Sequence, residues 1–150
     1  MLLQSYFQYT RWANNLIINR LSEIKRIEKI EYLFSHMLNT HRIWNARALG
    51  EQASVLPFDS IGRLGWNDVD AQNLAISIEI LDAKKPEEAI IYLDTNGTEF
   101  QTTVQDIFLH LGNHHTHHRG MIVNMIREAG HVPPTTDYVA WERAGKPIVE

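Results

Sequence analysis

The segment Thr103-Val104-Gln105-Asp106-Ile107-Phe108-Leu109-His110-Leu111-Gly112-Asn113-His114-His115-Thr116-His117-His118-Arg119-Gly120-Met121-Ile122-Val123-Asn124-Met125-Ile126 decides how this chain is read. Val104, Ile107, Phe108, Leu111, Ile122, Met125 and Ile126 recur at the spacing of one helical face. The pattern predicts a helix from about 103 to 129, stopped at Gly130 with Pro133-Pro134 beyond it. Four of the eight histidines fall within five positions of that helix. At about 100° per residue, His114 and His118 lie one turn apart inside the apolar stripe, His110 and Met121 at its margin, and His117 and Asn113 outside it. His115 and His117 are expected to pack or to meet solvent rather than to join His114 and His118.

Two more helices follow from the same periodicity, and a third from a capping signal. Leu2, Tyr6, Tyr9, Ala13, Leu16, Ile17 and Leu21 mark one over residues 2–22, and Ile30, Leu33, Phe34, Met37, Trp44 and Ala48 mark another over 27–50. The stretch 56–66, with one proline and two glycines, reads as an ordered loop whose Phe58, Leu64 and Trp66 need somewhere to pack. Asn67-Asp68 suits an N-cap for a third helix running to about Ala83. Segments 90–95 and 98–103 flank Asn96-Gly97, the dipeptide preferred in a two-residue hairpin turn. Residues 137–144 can add a short helical turn. The expected fold is all-α, a four-helix bundle with a short hairpin-like insertion before the last long helix, in one domain spanning 1–150.

Composition narrows the function. The net charge is -4, with no basic run interleaved with aromatics, so nucleic acid is not an expected partner. Cysteine is absent, which removes disulfides, thiolate metal sites and cysteine nucleophiles together and suits a reducing compartment. No apolar run approaches the roughly 20 residues of a membrane span, and Met1-Leu2-Leu3-Gln4-Ser5-Tyr6 lacks the succession of a signal peptide. A cytoplasmic protein with no membrane partner is expected.

A single inward histidine is more often a hydrogen-bonded core residue than a ligand. Two on one face need two sets of buried partners, whereas one shared cation satisfies both rings. A metal needs at least a third ligand, and the second helix offers His36 and His41. Periodicity slightly favours His41, nearer the centre of the Ile30-Leu33-Met37-Trp44 stripe, and leaves the choice open.

The motifs extend beyond this pair. Tyr9-Thr10-Arg11-Trp12-Ala13-Asn14, His36-Met37-Leu38-Asn39-Thr40-His41-Arg42-Ile43-Trp44, Tyr92-Leu93-Asp94-Thr95-Asn96-Gly97 and Asn113-His114-His115-Thr116-His117-His118-Arg119-Gly120 together resemble the DinB-like (DNA-damage-inducible) family of the DinB/YfiT-like metalloenzyme superfamily. The last segment matches that family's Asn-His-x-x-His-His-Arg-Gly signature position by position. The resemblance covers nearly the whole chain. It implies a four-helix bundle of unusual connection order, often a homodimer, with His36, His114 and His118 as metal ligands. Two positions depart from the family's pattern: Met121 stands where glutamine is usual, and His41 where an acidic or small polar residue is common.

Three neutral imidazoles leave a divalent cation an open position, which can acidify water or take a thiolate. Zinc, nickel, iron or manganese suits such a donor set. The resemblance implies a metal-dependent hydrolase or thiol S-transferase acting on a small molecule. The alternative is a non-catalytic bundle stapled by its cation, a dimeric structural or stress-response protein. No general acid or base stands out: Asp106 lies off the His114–His118 face, and Arg119 is expected to make a surface or helix-packing salt bridge. Trp12, Trp44, Trp66 and Trp141 read as packing residues before pocket walls.

Overall fold

The computed structural model describes residues 2–149. Its elements are α1 (Leu2–Ser22), α2 (Glu28–Ala48), α3 (Arg63–Ala83), β1 (Ala89–Leu93), β2 (Glu99–Thr103), α4 (Val104–Glu128) and the short α5 (Tyr138–Arg143). It is a mostly helical bundle. α1 packs against α3 and α4, and α2 packs against the same two, so α1 and α2 face each other across a diagonal despite following one another in sequence. No helix among the described residues is long and apolar enough to cross a membrane.

Two boundaries differ from the sequence reading. α3 begins at Arg63, one turn before the Asn67-Asp68 signal. The reason is tertiary. The Arg63 guanidinium donates to the Leu21 and Ile24 carbonyls and to Glu31, and buried Trp66 donates its indole N–H to the Ile61 carbonyl at 3.0 Å. Asn67 caps nothing; its Oδ1 accepts from Arg11 Nη2 at 2.8 Å. Leu64 on that first turn is 99% exposed, so the expectation that it packs fails, while Trp66 is buried as expected.

The hairpin is real, but its turn is longer than two residues. Leu93 pairs with Glu99, and Asp94 Oδ1 accepts from the backbone N–H groups of Asn96 and Thr98, both at 2.8 Å. Gly97 sits at φ +80°, the left-handed position that ends such a loop. An aspartate competing for backbone donors wins over the bare Asn-Gly signal.

α4 starts where Thr103 accepts the Asp106 N–H, and it crosses α1 closely at Gly112. A Cβ on Gly112 would come within 2.5 Å of the Tyr6 ring. Beside a small cluster of Tyr9, Ala13 and Trp141, the apolar interior is divided into two large ones. One holds Ile17, Leu21, Phe34, Met37, Trp66, Ile122 and Ile126; the other holds Phe7, Ala48, Ile80, Ile90, Ile107, Phe108 and Leu111. Polar side chains fill the layer between them.

Candidate metal centre

The centre of α4's buried stripe runs through His115 and Arg119 rather than through His114 and His118. His114 and His118 sit on its half-buried flank. The shift matters, because it puts the i, i+4 pair beside solvent instead of in the core.

There the three histidines converge. Donor nitrogens of His36, His114 and His118 lie within 4.8 Å of one another. His114 Nε2 stands 3.3 Å from His36 Nε2 and 3.0 Å from His118 Nε2. Nitrogens bound at the usual ~2.0–2.1 Å to one cation would be about 3.0–3.4 Å apart, so the group already has the edge lengths of a coordination shell. His36 Nδ1 donates to the Pro57 carbonyl at 3.1 Å, which turns its Nε2 lone pair toward the other two rings. Nδ1 of His114 and of His118 is buried without a partner, so helix packing alone holds those rings.

Electrostatics keep the rings neutral. Burial first, then the neighbouring His118 and His36, lowers His114 to about 3. Burial, then His36 and His117, lowers His118 to about 4. His36 is also lowered by burial. One shared proton cannot satisfy both Nε2 contacts well, whereas a divalent cation accepts all three lone pairs. The residues present fit a metal.

His41, the weak favourite of periodicity, lies elsewhere. Its Nδ1 is 3.0 Å from His115 Nε2, and its Nε2 is 2.8 Å from Ser77 Oγ. Proton directions along this contact chain can be assigned. Asn14 Nδ2 donates to Asp70 and to His115 Nδ1, so His115 Nε2 donates to His41, His41 Nε2 to Ser77, and Ser77 to Asn45 Oδ1. Arg11 pairs with Asp70 at 3.1 Å at the head of the chain. Arg119 is 2% exposed and donates to Asn14 Oδ1, Tyr9 Oη and Thr116 Oγ1. The expected surface or helix-packing salt bridge is therefore corrected: this arginine is an internal brace on neutral oxygens.

The rest of the candidate set is dispersed. Asp106 pairs with Thr103, and Glu128 accepts from Asn124, so neither carboxylate faces the three rings. His117 is exposed with its ring 5.1 Å from that of His118, and His110 lies 5.9 Å from His114. Phe58, 56% exposed, stacks on His36 at 4.4 Å, and Tyr32 stacks on Phe58. Trp44 contacts His110 at 5.0 Å. Trp66 and Trp141 are buried, and Trp12 packs beside Tyr9.

A model of the DinB family matches residues 1–147. The chain belongs to the DinB family. The protein called Protein DinB from Bacillus subtilis (strain 168) is 29% identical over 167 aligned positions, covering 88% of each chain. Family membership and the three-histidine group together are compatible with metal binding, and the group could hold a metal ion.

Proposed function

We propose that this DinB-family chain binds one divalent transition metal through Nε2 of His36, His114 and His118 and acts there on a small molecule. The reading is carried by one observation: three neutral imidazoles present lone pairs to a common point at 3.0 and 3.3 Å contacts. When bound, the cation supplies Lewis acidity toward water, a carbonyl or a thiol. The chain's own part is to hold the rings. α4 fixes His114 and His118 one turn apart, and the Pro57 carbonyl fixes the third ring.

Hydrolysis and thiol S-transfer both use a three-ligand site with an open side, and this one has its ligands on the half-buried flank of the bundle. Zinc, nickel, iron and manganese all suit the donors. A homodimer in the cytoplasm belongs to the same proposal on family grounds, and sedimentation equilibrium tests the dimer.

Elemental analysis of protein purified without an affinity tag tests the metal. One equivalent in the wild type, lost in His114→Ala and in His118→Ala, is the expected result. Equal occupancy in all three overturns it. Cobalt substitution then separates an enzyme from a metal-stapled scaffold. A spectrum that responds to added thiol or anion requires an open position, and an unresponsive one removes the catalytic reading.

A further inference from the structure

One face of α2 continues from the metal centre toward the hairpin. Trp44 and Arg47 stand eight and eleven residues after His36. That spacing keeps all three on one side of the helix. Facing them on α4 is His110, one turn before His114. The rings touch in succession: His114 to His110 at 5.9 Å, His110 to Trp44 at 5.0 Å, and the Arg47 guanidinium carbon over Trp44 at 4.5 Å.

Arg47 is held in an unusual way. Its guanidinium also lies 4.7 Å from the Tyr92 ring, so two aromatic rings flank it. Nη2 donates to the Leu93 carbonyl at 3.2 Å; the Asp94 charge acts on the guanidinium, but no direct ion pair to it forms among the described residues. A stacked guanidinium keeps its in-plane N–H edge available, the geometry that binds a carboxylate in bidentate fashion.

We propose that His110, Trp44 and Arg47 form the substrate ledge of the metal centre, which takes an elongated small molecule with a carboxylate at the end remote from the metal. Arg47 binds that carboxylate, and Trp44 and His110 support the middle of the molecule. This rests on the metal reading above and adds the substrate's charge and shape. Arg47 is its specificity determinant.

The test is ligand binding to the cobalt-loaded protein, read from the thiolate-to-cobalt absorption band. The probes are mercaptohexanoate, mercaptohexanol and the shorter mercaptopropionate. Wild-type protein should bind mercaptohexanoate about tenfold more tightly than mercaptohexanol, as one charge-assisted pair provides. Mercaptopropionate, too short to reach Arg47, should show no such advantage. Arg47→Gln should erase the preference for the charged thiol at full cobalt stoichiometry, and Arg47→Lys should restore part of it. Full cobalt uptake with equal affinity for the charged and neutral thiols overturns the proposal. So does a loaded protein that gives no thiolate band, since the ledge requires an open position beside it. Failure to take up cobalt instead refutes the metal reading.

Discussion

His115 and His118 stand less than one turn apart on α4, yet they belong to opposite kinds of histidine group. His115 joins His41 in the core, and every ring nitrogen of that pair has a partner: Asn14, Ser77, or the other histidine. His118 joins His114 and His36 at the flank, where two Nδ1 atoms have no partner and three Nε2 atoms face one another. The inner pair is fully hydrogen-bonded within a polar layer between the two larger apolar clusters, and its rings have no lone pair left for a ligand. The outer group is electrostatically unfinished, and a cation completes it. Satisfaction of hydrogen bonds, more than residue type or depth, separates a structural histidine from a candidate ligand.

The largest break in this comparison should come at the head of the inner chain. Asp70 is the carboxylate that faces Arg11, and its charge also acts on Arg119. Asp70→Ala leaves those buried cations uncompensated and should cost about 3–5 kcal/mol of stability at pH 7. Urea denaturation with and without bound metal measures it. A loss below about 1 kcal/mol would mean that the layer is not what holds the bundle together.

The outer group should respond in the reverse sense. His118→Ala should change metal-free stability by less than about 1 kcal/mol, since His118 is half-buried. Its metal affinity should fall by more than the roughly 10–100-fold that loss of a supporting contact produces. Competition with a chromophoric chelator reads the second number. A variant that unfolds but retains affinity reverses the assignment of the two groups.

This contrast also shows what apolar periodicity can see. It located three of the four long helices, because their apolar faces recur every three or four residues; α3, whose buried face is Trp66, Asp70, Asn73, Ser77 and Ile80, is announced instead by the Asn67-Asp68 signal. It placed His114 and His118 together correctly, but in the middle of the stripe rather than on its flank. Counting only apolar residues made the polar layer invisible. That layer has its own spacing: Arg11 and Asn14, His41 and Asn45, Asp70, Asn73 and Ser77, His115 and Arg119 all recur at helical intervals. Polar residues at helical spacing inside apolar stripes were the available signal. Periodicity preferred His41 to His36 because it measures burial, and His41 is indeed the more buried. The ring beside His114 is the less buried one, so the choice needed the family resemblance. The start of α3 and the hairpin loop were illegible for another reason, since Arg63, Trp66 and Asp94 act through partners that no local pattern announces.

Acid separates the groups more finely. Burial lowers His41 to about 3 in the folded chain, against about 6.5 when unfolded. As pH falls below 6.5 the unfolded state binds that proton first, so this stability is full above 6.5 and is lost toward 3. His115 is lowered by burial and acts in the same sense. Asp70 acts oppositely: burial raises it to about 6, so the folded state binds its proton first and stability is gained between 6 and 4. Two histidine protons outweigh one carboxyl proton. These three groups should therefore cost metal-free protein in chelator about 1.4 kcal/mol per pH unit around pH 5, and the full slope should be steeper, because His36, His114 and His118 are lowered as well. His41→Gln should flatten the slope by about that amount, though it also lowers stability at pH 7. An unchanged slope would show that His41 is protonated in the folded state.

The smallest effect expected belongs to Phe58, which tests how far the outer group depends on its loop. Phe58 stacks on His36, while the preceding residue's carbonyl holds His36 Nδ1. The loop is anchored independently by Asn39 Nδ2 on the Asp59 carbonyl at 2.8 Å and by Ser35 on Ile61. Phe58→Ala removes the stack and leaves the carbonyl in place. With the ring already 56% exposed, stability should shift by less than about 0.5 kcal/mol. Metal affinity should fall by at most about tenfold, the lower end of what a supporting contact contributes. A larger loss, measured by the same chelator competition, would make the stack rather than the Pro57 carbonyl the element that orients the third ring. No loss at all would free Phe58 and Tyr32 to serve as an apolar wall against which a bound molecule packs.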